Sequence, residues 1–582
     1  MPGRSAPGWP GSRTAISSSP IAATSLPAAP ARFKGRRQGT MEYRADKILE
    51  YTGGITVSEL WDCNARERAG RAAIEDLEVN LTWLEAKRWI DRVALGLLEL
   101  GIKRDDVLVV QLPNCIELHL LRVAGEKAGI RCVPVTSNMR KRELEHILGQ
   151  TDAVGAVVPW MYRGFNYVDM IHEIRPSLPN FRHIFLIGDK VAEGLFSIRK
   201  LAAEPLDEKY PPDYLEKRRY RRDEVSLICH SSGSTGLPKL VQYSPAACSA
   251  TGKWFSEHLR LSADDVVAAI APAARGPNLP VYFAAPWAGA KIVMLPWSEA
   301  REALKAIEQK KVTVACLVPT QLAMMLEEAQ AGHYDLSSVR AWVSAGAYFP
   351  PPLMAEVEKK MGGTVLNYYG SMELGAVTSS ALNDPDEVRL TTAGRPTFGT
   401  EVKIVDDEGQ EVENGIEGEI MARGLCSSSG FYKDEKATKQ VWNENGWAAT
   451  GDMGLIDEGG NLVIVGRKKD VIIRGGQNIY PAEIEALLID HPKVQDVAVV
   501  SMPDPVMGER VCAYVVSVKG EKLAFAEMIS FLRQKNIASF KLPERLELME
   551  KFPTVADGYK VDKKALRQDI AEKLSKQQRG SK

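Results

Sequence analysis

From Leu81 onward the chain alternates helix-period and strand-period apolar patterns, and that alternation decides its fold class. Ala86, Ile90, Val93, Leu97 and Leu100 recur three or four residues apart, which puts them on one helix face. Gly101 closes that helix. Residues 107–112 form a short, mostly apolar run ending at Pro113-Asn114, which predicts a buried strand. A helix to about Lys127 and a strand over 132–135 complete a βαβ unit. The rhythm repeats with strands over 155–159 and 183–187 around a helical stretch. The prediction is an α/β protein with a large N-terminal domain built on mostly parallel sheets. Past about Thr391, Gly and charged residues become more frequent. Short strands are expected over 401–405, 418–422 and 461–465, joined by turns such as Asp407-Glu408-Gly409. From Asp470 a small α+β unit is expected: helix 481–488, strands 494–501 and 510–518, helix 524–535. The divisions expected are an extension over 1–41, a large domain over 42–468 and a C-terminal domain over 469–582.

Charge and cysteine usage narrow the function classes. The 582 residues carry 74 Lys+Arg against 75 Asp+Glu, a net charge of −1. That balance argues against a protein that coats nucleic acid, which needs a basic surface. No run of about 18 apolar residues is present, so no membrane-spanning helix is expected. The best candidate, 312–325, is interrupted by Thr313, Pro319, Thr320 and Gln321. None of the eight cysteines stands at C-x-x-C spacing, so neither a zinc site nor a disulfide framework is signalled. Free core thiols in a reducing cytoplasm are the simplest reading. The first 41 residues hold 24 Ala, Pro, Ser or Gly, six Arg or Lys and no acid. Such a segment is expected to be disordered. Its composition also fits an organelle transit peptide. Patterning that begins only after Met41 favours an upstream extension of a fold starting there.

The most informative stretch is His230-Ser-Ser-Gly-Ser-Thr-Gly-Leu-Pro-Lys239, directly after an apolar strand over 225–229. Gly233 and Gly236 permit a tight turn that exposes amide groups. Ser231, Ser232, Ser234 and Thr235 add hydroxyls and Lys239 a cation, which together suit phosphate oxygens. The spacing is not that of the G-x-x-x-x-G-K-[ST] loop. Read alone, a Ser/Gly loop is more often a flexible linker. Four further strings follow in order: Tyr368-Tyr-Gly-Ser-Met-Glu373; Thr450-Gly-Asp452; Gly466-Arg-Lys-Lys-Asp470 with Gly475-Gly-Gln-Asn-Ile-Tyr-Pro481; and Gly558-Tyr-Lys560 with Lys563-Lys564 and Leu566-Arg567 after it. Read locally, Asp452 is a turn residue and Lys560 a surface lysine. As an ordered set, the five strings resemble the signature motifs of the adenylate-forming superfamily of acyl- and aryl-CoA synthetases and adenylation domains. The resemblance spans about Asp46 to Leu574.

The resemblance implies an ATP-dependent acid–thiol ligase, with a mobile C-terminal domain. A carboxylate attacking the α-phosphate of ATP brings two anions together, a repulsion of roughly 4 kcal/mol at ~4 Å and an effective dielectric of ~20. Cations and aimed donors must answer it. By resemblance, Ser231, Ser232, Gly233, Ser234, Thr235, Gly236 and Lys239 hold the β- and γ-phosphates. Glu373 ligates Mg²⁺, and Tyr369 lies along the adenine with Gly346, Ala347, Tyr368 and Gly370 beside it. Asp452 accepts from the ribose hydroxyls, Arg467 supports that side, Lys560 bridges carboxylate and α-phosphate, and Lys469 is the hinge.

Three positions depart from the family pattern. Met372 replaces a threonine, Leu240 a glycine, and Tyr559 the glycine before the catalytic lysine. The closest likeness is to the dihydroxybenzoate-activating aryl-acid branch. That branch places a His-Asn pair where this chain has Arg275-Gly276, so dihydroxybenzoate and salicylate are not expected substrates. Arg275, Gly276, Tyr282, Ala345 and Gly375, with Gly346, Ala347 and Tyr368, are the expected pocket wall, which suits a flat ring or short acyl group. The expected reaction joins an aryl, cyclic or short carboxylic acid to AMP and then to CoA. The alternative acceptor is the phosphopantetheine arm of a carrier protein. A non-catalytic nucleotide-binding homologue is the remaining reading.

Overall fold

The computed structural model describes residues 40–580 except 190, 231–236, 274–275, 298, 348, 475–476, 536 and 556–560. The extension expected over 1–41 thus lies outside the described residues but for its last two, which open the helix Thr40–Thr52.

The expected βαβ unit is present. The helix Trp83–Glu99 buries Ala86, Ile90, Val93 and Leu97, and Gly101 follows it at φ +80°. Its first turn is closed by a capping box between Thr82 and Glu85. The strand Val107–Gln111 is buried along its whole length, as strands of two-sided parallel sheets are. It pairs in parallel with Arg131–Val135 and Gly155–Val158, and Arg131–Val135 pairs in parallel with Leu227–His230. The full sheet has seven strands; Leu240–Tyr243 closes one edge antiparallel to Leu227–His230.

A second sheet of nine strands has a parallel centre: Ala72–Glu75, Lys291–Met294, Val266–Ala269, Val314–Leu317, Ala341–Ser344 and Thr364–Ser371. The largest apolar cluster joins residues of both sheets to the helices Trp83–Glu99, Ile116–Ala128 and Pro245–His258. Layered packing of this kind is the α/β architecture expected from the alternation. Strands Thr400–Val405, Gly418–Gly424, Ala448–Ile456 and Leu462–Arg467 form an antiparallel sheet of four. Three of these were expected; Ala448–Ile456 was not. The C-terminal unit also follows the expected order: Pro481–Leu488, Val494–Asp504, Gly508–Ser517 and Phe525–Gln534. Arg545–Met549 adds a parallel strand to it. All eight cysteines are free, six of them buried.

One ionic network ties the helical layer together. Lys127, 2% exposed, binds Asp91 and lies 2.6 Å from Asp62, whose other oxygen is 2.6 Å from Arg219. Burial pushes the Asp62 carboxyl up, but Lys127 and Arg219 outweigh burial and hold it below the usual carboxylate range. A depressed folded value means that this contribution is complete above ~3.9, the unfolded value, and is lost as pH falls through the lower folded one. Lys127→Met is expected to cost about 1.5–3 kcal/mol, because it removes the cation that Asp62 and Asp91 share and leaves each with one partner, Arg219 and Lys87. It should also remove part of the acid-dependent stability. Urea unfolding of both proteins between pH 3 and 7 checks this; equal loss at every pH would refute the assignment to Asp62.

Candidate active site

The parallel strands Leu227–His230, Ala341–Ser344 and Thr364–Ser371 lead at their carboxyl ends into the candidate residues. Ligand crevices in open α/β sheets lie there, because strand ends and the loops after them expose backbone and side chains together. The loop 231–236 follows Leu227–His230 at this side and lies outside the described residues. Lys239, on its far end, has its Nζ 5.0 Å from the Phe431 ring. It borders a cavity of about 170 Å³ shared with His146, Gln150 and Asp434. Leu240 opens the returning strand, pairs with His230 and is 1% exposed. Its departure from glycine is thus a core side chain, not a change in the loop's turn.

The strand Ala341–Ser344 ends in buried Ala345, then exposed Gly346 and Ala347. Gly346 has φ +89°, a left-handed backbone that glycine adopts without cost. The neighbouring strand Thr364–Ser371 carries Tyr368 and Tyr369 at its end, and alternation along a strand sends them to opposite faces. Tyr368 is buried, sets its ring edge-on to Phe255 at 5.2 Å, and donates its hydroxyl to the carbonyl of Gly276. Burial keeps that phenol protonated by pushing its pKa well up. Tyr369 donates to Asp452 Oδ2 at 2.7 Å, and Arg467 Nε pairs with Oδ1 at 3.0 Å. Burial first, then the Asp452 charge, holds the Tyr369 phenol well above its ordinary value.

Asp452 is not the turn residue that local reading expects. It sits within the strand Ala448–Ile456 and is paired with Arg467 of Leu462–Arg467, so the next sheet delivers a carboxylate and a guanidinium together. Gly451 at φ +70° sets the strand's path there, and Thr450 Oγ1 accepts the Asp452 amide at 3.1 Å.

The turn after Tyr369 is unusually close. A Cβ on Gly370 would lie 2.0 Å from the Gly375 carbonyl oxygen, and one on Gly375 2.8 Å from that of Cys426. Inside this turn Ser371 Oγ accepts the amides of Glu373 and Leu374, both at 3.2 Å. The Met372 carbonyl accepts the Tyr243 hydroxyl at 2.6 Å, and the Met372 side chain packs against the main core. The departure at Met372 therefore leaves the turn built. The Glu373 carboxylate is half-buried and has no ion pair among the described residues. Gly370→Ala is expected to cost about 1–3 kcal/mol through overpacking and to weaken ATP binding about tenfold by displacing Tyr369. Thermal unfolding with nucleotide titration measures both; unchanged ATP affinity would separate the turn from the site.

On the acid side, Gly276 opens a short turn to Asn278. A Cβ there would meet only the Tyr368 hydroxyl, at 3.6 Å. Arg275 lies outside the described residues. Tyr282 is 3% exposed; its ring stacks on His119 at 5.6 Å, with the Arg122 guanidinium 4.4 Å from its centroid. Asn278 donates to the Tyr282 hydroxyl at 3.3 Å. Sequence reading did not single out His119, Arg122 or Asn278. Their only signal was i, i+3 spacing on the helix Ile116–Ala128 and i, i+4 spacing before Tyr282. At the domain boundary, Lys469 is exposed in the turn Lys468–Asp470. Lys468 pairs with Glu419 at 3.0 Å, and Asp470 with Arg567 at 3.0 Å. Lys560 lies outside the described residues; Thr554 and Val561 bridge the ends of its loop.

One strand end thus carries a tyrosine–carboxylate–arginine grip on one face and Tyr368, bonded to the Gly276 carbonyl, on the other, and comparison with known proteins gives this arrangement its class. The chain belongs to the AMP-binding enzyme family, whose profile matches residues 61–432, with the AMP-binding enzyme C-terminal domain at 483–559. It is 32% identical over 524 residues to 2,3-dihydroxybenzoate-AMP ligase of Bacillus subtilis (strain 168), covering 90% of this chain and 95% of that one. It is 32% identical over 510 residues to 2-hydroxy-7-methoxy-5-methyl-1-naphthoate–CoA ligase of Streptomyces carzinostaticus, covering 86% and 91%. The anthranilate CoA ligase AuaEII in complex with anthranoyl-AMP shares the fold, with a TM-score of 0.80 at 24% identity over 90% of this chain and 98% of that one. The chain is thus an AMP-forming acid–thiol ligase: it makes an acyl-adenylate from a carboxylic acid and ATP and then passes the acyl group to a thiol.

Proposed function

We propose that the acid is a flat aryl, cyclic or short acyl carboxylate, adenylated between Tyr368 and Tyr369. The observation that carries this reading is the division of labour at one strand end. Tyr369 joins the Asp452–Arg467 pair, while Tyr368 reaches the Gly276 carbonyl on the opposite face. Adjacent residues thereby set the distance between nucleotide and acid, and fixed spacing is what lowers the entropy cost of bringing two anions together. On this reading Ser231, Ser232, Gly233, Ser234, Thr235, Gly236 and Lys239 take the β- and γ-phosphates, which leave as pyrophosphate. Gly346, Ala347 and Gly370 present backbone to the nucleotide, and Asp452 accepts from the ribose. Lys560 stabilises charge as the carboxylate attacks the α-phosphate.

Glu373 suits Mg²⁺: its carboxylate is a hard oxygen donor, and no described cation neutralises it. No cluster of three His, Cys, Asp or Glu surrounds it among the described residues, so the remaining ligands would be phosphate oxygens and water. When bound, the ion would offset negative charge on the β- and γ-phosphates.

Gly276, Tyr282, Ala345 and Gly375, with Arg275, form the proposed acid wall. Three small residues and one enclosed aromatic suit a planar group, and Gly276 offers no side chain to a ring hydroxyl. CoA is the preferred thiol, with a carrier protein's phosphopantetheine arm as the second reading, and the cytoplasm is the compartment expected for free core thiols. No described helix is long and apolar enough to cross a membrane.

The test is hydroxamate-trapped adenylation across benzoates, cyclohexane carboxylates and fatty acids of rising length. Activity with benzoates or cyclohexane carboxylates exceeding that with long chains by about tenfold or more supports the reading. A preference for long chains would refute it, and silence towards every acid would favour a non-catalytic homologue. Offering CoA and a phosphopantetheinylated carrier in the second half-reaction separates the two acceptors.

A further inference from the structure

A basic cavity lies away from the adenylation site. It measures about 380 Å³ and is lined by Arg104, Lys217, Arg218, Arg219, Arg221 and Glu224. Arg104 stands just before the strand Val107–Gln111, and Glu224 just before Leu227–His230. The cavity is therefore at the amino ends of two strands, one of which, Leu227–His230, leads at its carboxyl end into the loop 231–236. The four residues of Leu227–His230 alone put about 13 Å between the two ends.

Much of this charge is held in place rather than cancelled. Glu224 is the one acid in the lining. Both its oxygens accept from Arg104 Nη2, at 2.8 and 2.7 Å, and one also from the Arg221 amide at 2.6 Å. Arg219 is 8% exposed and anchored to Asp62, yet its Nε is buried without a hydrogen-bond partner. Arg218 has a buried, unpartnered Nε as well and no carboxylate partner among the described residues; its nearest aromatic is Tyr214, 5.9 Å away. Lys217 and Arg221, each 74% exposed, pair only with exposed acids at the rim, Asp213 and Asp223. Such surface pairs give way readily to a better anion. Two buried Nε donors without acceptors are costly as they stand, and they belong to arginines whose side chains line the cavity.

We propose that this cavity is a second binding site for a small molecule bearing a phosphate or diphosphate, separate from the adenylation site. Guanidinium forks match phosphate oxygens in pairs. The volume falls in the range of ligand pockets and exceeds what a lone inorganic ion fills. The reaction itself presents two sources of this chemistry, the pyrophosphate released and the 3′-phosphorylated ADP end of CoA. The charge of Glu224 is offset by Arg104, whose Nη1 donates to the Arg218 carbonyl.

The test is equilibrium dialysis of the full chain against radiolabelled pyrophosphate, and separately against adenosine 3′,5′-diphosphate, at physiological salt. Two bound molecules per chain are expected for at least one probe, and which probe shows the second site identifies the source. Arg218→Ala is expected to weaken the second site at least tenfold and leave the first, with adenylation at saturating ATP unchanged. Arg221→Glu, at an exposed rim position, should produce the same selective loss if Arg218→Ala does not fold. One site for both probes, or two sites that neither substitution weakens, would overturn the proposal.

Discussion

Replacing Lys560 by alanine is expected to slow acyl-adenylate formation by about 10²–10³ while changing ATP affinity little. The asymmetry follows from when the charge is needed. The lysine's partner is the negative charge that grows as carboxylate oxygen meets phosphorus, so its loss weighs on the transition state and not on the bound nucleotide. The neighbouring candidate is Lys563, three residues on. Its ammonium is committed to Glu485 at 2.6 Å, within the C-terminal unit, and Glu485 also accepts the Val499 amide. Lys563→Ala should therefore cost stability and leave the adenylation rate within a few-fold. Single-turnover pyrophosphate release, with nucleotide binding measured alongside, distinguishes the two lysines. The reverse pattern would move the catalytic assignment to Lys563.

Lys469→Pro is expected to separate the two half-reactions. Lys468 is tied to Glu419 of the four-stranded sheet, whereas Asp470 is tied to Arg567 of the last helix. Lys469 between them has no ion pair among the described residues, so a backbone rotation there would turn one anchor against the other. Proline fixes φ near −65° and would hold the chain in one arrangement. The expected result is adenylation within about threefold of normal and thioester formation reduced by about 10² or more. Transfer from purified acyl-AMP to CoA, set against pyrophosphate release, measures the contrast. Equal losses in both would make Lys469 a turn lysine and nothing more.

The βαβ core was legible because its strands are short apolar runs and its helices keep a 3.6-residue stripe. Residues such as Ile90 and Val109 report their own burial through their neighbours in sequence. The strand Ala448–Ile456 was not legible: Ala-Ala-Thr-Gly-Asp has no alternation, and its pairing with Leu462–Arg467 supplies what its composition lacks. Motif order singled out Tyr369, Asp452 and Arg467, yet it could not say that Asp452 meets the other two at once. His119 and Arg122 were missed for another reason. Their relation to Tyr282 spans about 160 positions of chain and arises only when two helices pack. The same holds for Lys127 between Asp62 and Asp91, where the charges carry no sequence mark of being buried.

The hydrogen bond from Tyr368 ends on the backbone oxygen of residue 276, not on a side chain. Whatever amino acid occupies that position offers the same acceptor. If the proposed acid wall holds, a lineage, or an engineer, can exchange the side chain at 276 without loosening the strand that carries Tyr369. Substrate range and nucleotide chemistry are free to drift independently, which gives a single scaffold room to serve many acids.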